Sequence, residues 1–306
     1  MKLVAITRIL NEADIVEAFV RHTCALVDHH ILLDNGSIDG TLDILRALRA
    51  EGLSVEVHPS NTVAFAEMEQ NNVLFLLAAS VRGADWVLPL DADEFVDVRG
   101  GGAALRAALQ VDAPDAFKVR VREYVPTQDD NPGELLVPAR IRHARCPTDN
   151  LKVIARGKLL VGGVKLWPGG HSVRFGDDEV SWRMLDGLMY AHYATRSPWQ
   201  WLSKFVIGWS KVLAAGPAEI AAGSSVHYRD PFQTLKTDPM AILRSPFFMD
   251  FRHDEEGLAI DPLPYRGGRL HYTRPVDYQA RALQALVTHL EKLSLRHAEL
   301  IGAATR

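Results

Sequence analysis

Alternation between two hydrophobic periods over the first hundred residues constrains this chain more than any other feature. Leu3 to Ile9 reads as a buried strand, and from Glu12 onward Ile15, Val16, Phe19 and Val20 form one apolar face at helical spacing. Asn11 is placed as the N-cap of that helix, with Glu12 and Asp14 in its acidic first turn. A second strand is expected at Ile31 to Leu33, then a helix from Thr41 to Ala50 that buries Leu42, Leu45 and Leu48 and stops at Gly52. Leu53 to Val57 gives a third strand, Phe65 to Arg82 a long helix ended by Gly83, and Trp86 to Leu90 a fourth strand. Strand–helix repetition at this pitch predicts an α/β fold whose mostly parallel, Rossmann-like sheet carries helices on both faces and a ligand crevice at the carboxyl ends of its strands.

The fourth strand runs abruptly into acid: Trp86-Val87-Leu88-Pro89-Leu90 is followed by Asp91-Ala92-Asp93-Glu94. Unpaired carboxylates at the end of a buried strand are costly, so a hard divalent cation held by Asp91 and Asp93 is the simplest remedy. Residues two apart share a face of a strand, which lets both side chains converge on one ion. The alternative is a capped turn, or pairing with Arg99. Pro89 cannot donate to a sheet ladder, so pairing on one side of this strand must already have ended there.

Length and charge bound the rest. With 306 residues the chain accommodates one large α/β domain plus an appendage, or two ordinary domains. A net charge of −4, with no run of lysine and arginine, speaks against a nucleic-acid partner. Cys24 and Cys146 are too few for a disulfide framework and lack metal-ligand spacing, so a reducing cytoplasmic setting is expected. No signal-peptide pattern follows Met1, and the longest apolar run, Val73 to Ala79, falls far short of the roughly 20 residues of a membrane span.

Asp34 lies at the carboxyl end of the second strand, where a carboxylate can accept an N–H from a nucleotide base; Ser37, Asp39 and Thr41 beyond it suit a glycine-bearing turn and the next helix cap. Taken together, Thr7-Arg8-Ile9-Leu10-Asn11-Glu12, Asp34-Asn35-Gly36-Ser37-Ile38-Asp39-Gly40-Thr41 and Leu90-Asp91-Ala92-Asp93-Glu94-Phe95 resemble, in order and spacing, the three N-terminal motifs of family-2-type glycosyltransferases with the GT-A fold. The similarity is closest to the bacterial subgroup with Asp-Asn-Gly-Ser-x-Asp-Gly-Thr and Asp-Ala-Asp-Glu-Phe motifs, and it covers roughly residues 1 to 100. The resemblance implies a nucleoside-diphosphate sugar, a UDP-sugar being favoured, bound across the sheet edge. Thr7, Asn11 and Glu12 would lie near the nucleoside, Asp34 would touch the base, Ser37 would belong to the same site, and Asp91 and Asp93 would hold the Mn²⁺ or Mg²⁺ that bridges the diphosphate. Transfer to an acceptor hydroxyl with inversion then needs a base on the opposite face of the sugar.

Beyond residue 110, Phe117 to Tyr124 and Leu151 to Ala155 alternate as strands, and Pro126 to Pro138 reads as a loop that shapes an acceptor site. Arg140, Arg142, His143 and Arg145 form a basic cluster, read as surface solvation or as contacts for an anionic acceptor. Phe175 to Val180 is faintly similar to the family's base-bearing Glu-Asp motif; Asp178 is the first choice of base, with Asp177, Glu179 and His171 as the others. Tyr190 to Ser197 is similar to the later His-Tyr segment, which makes His192 a third metal ligand and lets Arg196 and Lys204 reach the diphosphate. Ser197 and Pro198 start a helix whose Trp201, Leu202, Phe205, Trp209 and Val212 are assigned to the core, with peripheral membrane contact as the alternative.

A last helix, Tyr278 to Ile301, spaces Leu283, Leu286, Leu290, Leu293 and Leu300 in threes and fours, as a strap across the molecule or a homodimer contact would require. The glycines at 100–102 and the stretch from Ala214 to Gly223 read as loops. The expected division is a GT-A-like unit over 1–195, split into a nucleotide-sugar half at 1–110 and an acceptor half at 111–195, followed by a helical extension over 196–306. The expected function is metal-dependent glycosyl transfer to a carbohydrate or lipid-linked acceptor, in surface polysaccharide or glycolipid synthesis, in the cytoplasm or at the inner membrane face. A nucleotidyltransferase is the rival, though Thr7 to Asn11 lacks the glycines of a phosphate loop; a non-catalytic nucleotide-sugar-binding protein is another.

Overall fold

A computed structural model describes residues 1–110, 114–250 and 257–304. The alternation of periods becomes β1 (Leu3–Ile9), α1 (Val16–Cys24), β2 (His29–Asp34), α2 (Thr41–Ala50), β3 (Val55–Pro59), α3 (Glu67–Leu76, continued by a π turn over Leu77–Val81) and β4 (Trp86–Pro89). These four strands are parallel, in the order β3-β2-β1-β4. Helix α1 starts later than expected, at Val16, and its N-cap is Ile15 without a side-chain bond. Asn11 is engaged elsewhere: it holds φ 57°, a conformation asparagine tolerates, and its amide oxygen accepts the Ile38 N–H at 2.8 Å.

The second half runs through β5 (Glu94–Val98), α4 (Gly101–Ala108), β6 (Ala116–Val125), α5 (Val137–Arg140), β7 (His143–Ala144), β8 (Thr148–Arg156), β9 (Lys165–Leu166), β10 (Val173–Phe175), β11 (Asp178–Glu179) and β12 (Trp182–His192). Here the sheet turns mixed: β8 pairs antiparallel with β4 and β6, while β12 lies parallel to β6 and antiparallel to β5. The glycines expected in a loop open α4 instead, with Gly101 at φ 69°. Strand β8 reaches β4 only at Trp86 and Val87, so the N–H that Pro89 lacks is not missed. Along β12 the register shifts, and residues 185–188 stand opposite Val119 alone. Both faces of the sheet are buried. Phe19, Trp86 and Phe95 pack on one face, and Val4, Ile6 and Phe75 on the other, each buried side chain contributing about 1.5–3 kcal/mol.

The C-terminal part holds α6 (Pro198–Ala215), α7 (Pro217–Ala221), α8 (Arg229–Thr237), α9 (Pro239–Leu243), α10 (Pro246–Asp250), β13 (Ala259–Ile260) and α11 (Tyr278–Ala304). Ser197 caps α6 as its sequence requires, its hydroxyl accepting the Gln200 N–H at 3.0 Å. Leu202, Phe205, Trp209 and Val212 are buried, the core assignment made for this stripe. The chain then returns to the sheet: β13 pairs with β7, and Asp261 binds Arg99 at 2.7 Å and Arg122. One carboxylate fixes the next stretch. Glu17, fully buried on α1, accepts the N–H groups of His271, Tyr272 and Thr273 at 2.7–2.9 Å and the Thr273 hydroxyl at 2.8 Å.

Helix α11 packs along α6, through a face that differs in part from the expected one. Ala282 and Ala285 are buried and Leu286 packs against Leu202 and Phe205, whereas Leu283 and Leu290 are exposed, so only part of the leucine stripe joins the contact. Close approach of two backbones favours alanine there. No helix among the described residues is long and apolar enough to cross a membrane.

Candidate active site

At the end of β4 the chain folds into a closed turn. The Leu90 N–H still bonds the Ile6 carbonyl at 3.0 Å, the Glu94 N–H bonds the Asp91 carbonyl at 3.0 Å, and the Glu94 carboxylate accepts the Asp91 N–H at 3.1 Å. This turn presents Asp91 and Asp93 to a groove of about 550 Å³ that runs over the ends of β1 and β4 and is walled by α6, a size suited to a ligand as large as a nucleotide sugar.

Cations surround the two carboxylates. Lys152 of β8 bridges Asp91 at 2.7 Å and Glu94 at 2.8 Å, and Arg8 lies 4.0 Å from Asp91. Lys204 of α6 binds Asp93 at 2.5 Å, with His192 at 3.5 Å and Arg196 at 3.7 Å. Although burial alone would raise it, Lys152 and Arg8 hold the Asp91 carboxyl down to about 2. Lys204 and His192 likewise outweigh burial at Asp93 and hold it well below the usual carboxylate range. Both are therefore ionised at neutral pH.

Strand register places His192. As the last residue of β12 it stands opposite Glu94 of β5 and Glu123 of β6, and its Nδ1 binds the Glu123 carboxylate at 2.7 Å. Burial opposes its charge, yet Asp93 and Glu123 raise it to about 10. The His192 Nε2 lies 3.5 Å from Asp93, on the side where its sequence context places the metal.

Among the described residues no group of three or more histidine, cysteine, aspartate or glutamate side chains is spaced to hold a metal by itself. Asp91 and Asp93 nevertheless supply two ionised hard oxygen donors beside an open groove, the donor set with which Mg²⁺ is commonly held when substrate phosphates complete its shell.

The other expected residues divide. Asn11, Glu12, Lys204 and His171 line the groove. Thr7 does not; it is buried, with its hydroxyl 2.9 Å from His30 Nε2. Asp34 is 2% exposed and accepts the Gly36 and Ser37 N–H groups at 3.0 and 3.1 Å, while the Ser37 hydroxyl accepts the Asn11 N–H at 2.8 Å. The three shape the groove's edge by holding its loops. Arg196, expected at a diphosphate, is corrected: its side chain is fully buried and bound to Asp14 at 2.6 Å, to Glu12 and to the Tyr193 carbonyl at 3.1 Å.

Asp178 and Glu179 are not brought to the groove. They form β11, paired with β10 in a separate three-stranded sheet, and both are exposed; Glu179 binds Lys118 at 2.6 Å. Of the four residues expected as base, His171 is the one that lines the groove. Sequence reasoning missed Lys152 and Glu123. A lysine inside an otherwise apolar strand, Leu151 to Ala155, was the available signal for the first; nothing local marked the second.

No protein-family model matches the chain, and no curated protein matches it. Solved structures do. S. aureus TarS 1–349 is 15% identical, with 84% of this chain and 77% of that one covered and a TM-score of 0.42. A mannosyltransferase from Pyrobaculum calidifontis, in complex with GDP-Man and Mn²⁺, is 14% identical over 94% and 87% of the two chains at a TM-score of 0.40. Glucosyl-3-phosphoglycerate synthase from Mycobacterium tuberculosis, with Mn²⁺, UDP and phosphoglyceric acid, is 17% identical over 64% and 72% at 0.35.

Proposed function

We propose that this protein is a metal-dependent glycosyltransferase of the GT-A type, moving a sugar from a UDP-sugar to the hydroxyl of a carbohydrate or lipid-linked acceptor with inversion. The observation that carries the reading is the ionised pair Asp91 and Asp93, presented by the turn after β4 to a groove at the carboxyl ends of parallel strands. Ligands of α/β sheets bind at that level. Asp91 and Asp93 would hold Mn²⁺ or Mg²⁺, which when bound stabilises charge on the departing diphosphate as a Lewis acid. Lys204 adds an ammonium beside the same oxygens.

In the reaction the bond from the anomeric carbon to the diphosphate oxygen breaks, and its electron pair leaves with the nucleotide. The acceptor oxygen forms the new bond on the opposite face and gives up its proton. Of the groups first expected as base, His171 is the one that lines the groove. Its Nδ1 lies 2.8 Å from the Leu151 carbonyl; a carbonyl only accepts, so Nδ1 carries the hydrogen and the lone pair of the neutral ring is on Nε2. That nitrogen takes the proton.

The reading is tested by UDP release from a panel of UDP-sugars. EDTA should abolish it and Mn²⁺ restore it; release unaffected by chelation would end the metal assignment. His171→Asn should lower turnover by about two orders of magnitude or more, with donor binding by calorimetry unchanged. Turnover at the wild-type rate would move the base elsewhere, Glu123 being the next groove carboxylate.

A further inference from the structure

One group of positive charge in the groove has no carboxylate partner among the described residues. Arg8 is paired with Glu67 at 2.8 Å, Lys152 with Asp91 and Lys204 with Asp93. Lys211, two turns beyond Lys204 on the same face of α6, reaches the groove beside Leu10, Asn11 and Asn35, and forms no ion pair among the described residues. Behind it, in a crevice of only about 20 Å³, stand Lys292 and His289 of α11. Lys292 Nζ donates to the Gly36 carbonyl at 3.2 Å, and a side chain at position 36 would meet that nitrogen at 2.6 Å. His289 Nε2 is buried without a hydrogen-bond partner.

The electrostatics agree. Burial, Arg8 and Lys292 push Lys211 down to about 8, and burial with the two lysines pushes His289 down to about 4, as expected of a lysine pair that no carboxylate among the described residues balances. Burying a cation unpaired is costly unless an anion arrives. A sugar hydroxyl or a base carbonyl is neutral and would leave that charge standing, whereas a phosphoryl oxygen answers it.

We propose that Lys211, backed by Lys292, binds the phosphates of the nucleoside diphosphate, so that α6 and α11 build part of the nucleotide site. This rests on the glycosyltransferase reading for the identity of the ligand, and on the lysines alone for its charge. The crevice behind Lys211 holds about one water, so the phosphate lies on the groove side. Lys292 then acts from behind, holding the Gly36 carbonyl and keeping the local potential positive.

Calorimetry with UDP at saturating Mg²⁺, with GDP as a second nucleotide, and with pyrophosphate alone tests this on wild type, Lys211→Met, Lys211→Arg and Lys292→Met. Lys211→Met should weaken UDP binding about tenfold or more and flatten its salt dependence, while Lys211→Arg stays near wild type. At pH 8.5 wild type should take up protons on binding, seen by comparing buffers of different ionisation heat, and Lys211→Met should take up fewer. Lys292→Met, remote from the groove floor, should show a smaller loss with the same sign, and serves if Lys211→Met does not fold. UDP affinity within twofold of wild type in folded Lys211→Met, with proton uptake unchanged, overturns the inference. Wild type that binds neither UDP nor GDP overturns the glycosyltransferase reading instead, and pyrophosphate, which must still weaken with Lys211→Met, then decides for the lysine by itself.

Discussion

Asp93→Asn is expected to release UDP from its donor about a hundred to a thousand times more slowly than wild type, because one substitution removes a metal oxygen and a formal charge at the centre of the site. The change is nearly isosteric, so packing around the 3%-exposed side chain is kept. What is lost is the charge that Lys204 at 2.5 Å, His192 at 3.5 Å and Arg196 at 3.7 Å all face. Steady-state UDP release by the purified variant, with folding checked by near-UV circular dichroism, measures the effect. Turnover within threefold of wild type would show that no ion is held by this carboxylate during the reaction.

Arg196→Met should cost about 3–5 kcal/mol of folding stability, the usual consequence of taking one partner out of a buried ion network. The guanidinium is fully enclosed between Asp14 and Glu12, so no solvent discount applies. Against the effect of burial, Arg196 and Arg281 hold the Asp14 carboxyl far below its ordinary 3.8. A folded-state value below the unfolded one means stabilisation that is present above pH 3.8 and is lost as the pH falls through the folded value. The gap between wild type and variant should therefore be widest near neutrality and narrow towards pH 3. Glu12 softens it at the top, since burial already pushes that carboxyl up to about 7 and it can take up a proton once the arginine is gone. Denaturant unfolding at pH 7, 5 and 3 checks both size and trend; a pH-independent difference would show that methionine merely packs badly.

The parallel half of the molecule was legible because its signals are local. Thr41 to Ala50 is helical to the residue, and Pro89 correctly announced where pairing on one side had ended. Asp91 and Asp93 could be singled out because acid following an apolar strand has few explanations. Lys204 and His192 were placed there by the resemblance of Tyr190 to Ser197 to a later family segment. Lys152 could not be, because only the antiparallel pairing of β8 with β4 and β6 brings it to Asp91. Asp178 misled because a match to a short acidic motif says nothing about which way a hairpin points; β11 faces solvent on a small sheet of its own. Arg196 misled for a related reason: its neighbours in sequence suggested a ligand, and its neighbours in space are Asp14 and Glu12. Of the leucines of α11, Leu286 packs as its spacing required while Leu283 and Leu290 face outward, since nothing in that helix alone reveals that Ala282 and Ala285 take the rest of the contact.

The register shift in β12 works as a slip joint. Four residues opposite one, with Gly187 at φ 79°, take up slack between the solvent-facing hairpin and the half of the strand that ends at His192. Insertions or deletions upstream can be absorbed at the shift before they rotate His192 away from Glu94 and Glu123. The register of the outer hairpin is thus uncoupled from that of the charged centre, which is set by the pairs of His192 with Glu94 and Glu123.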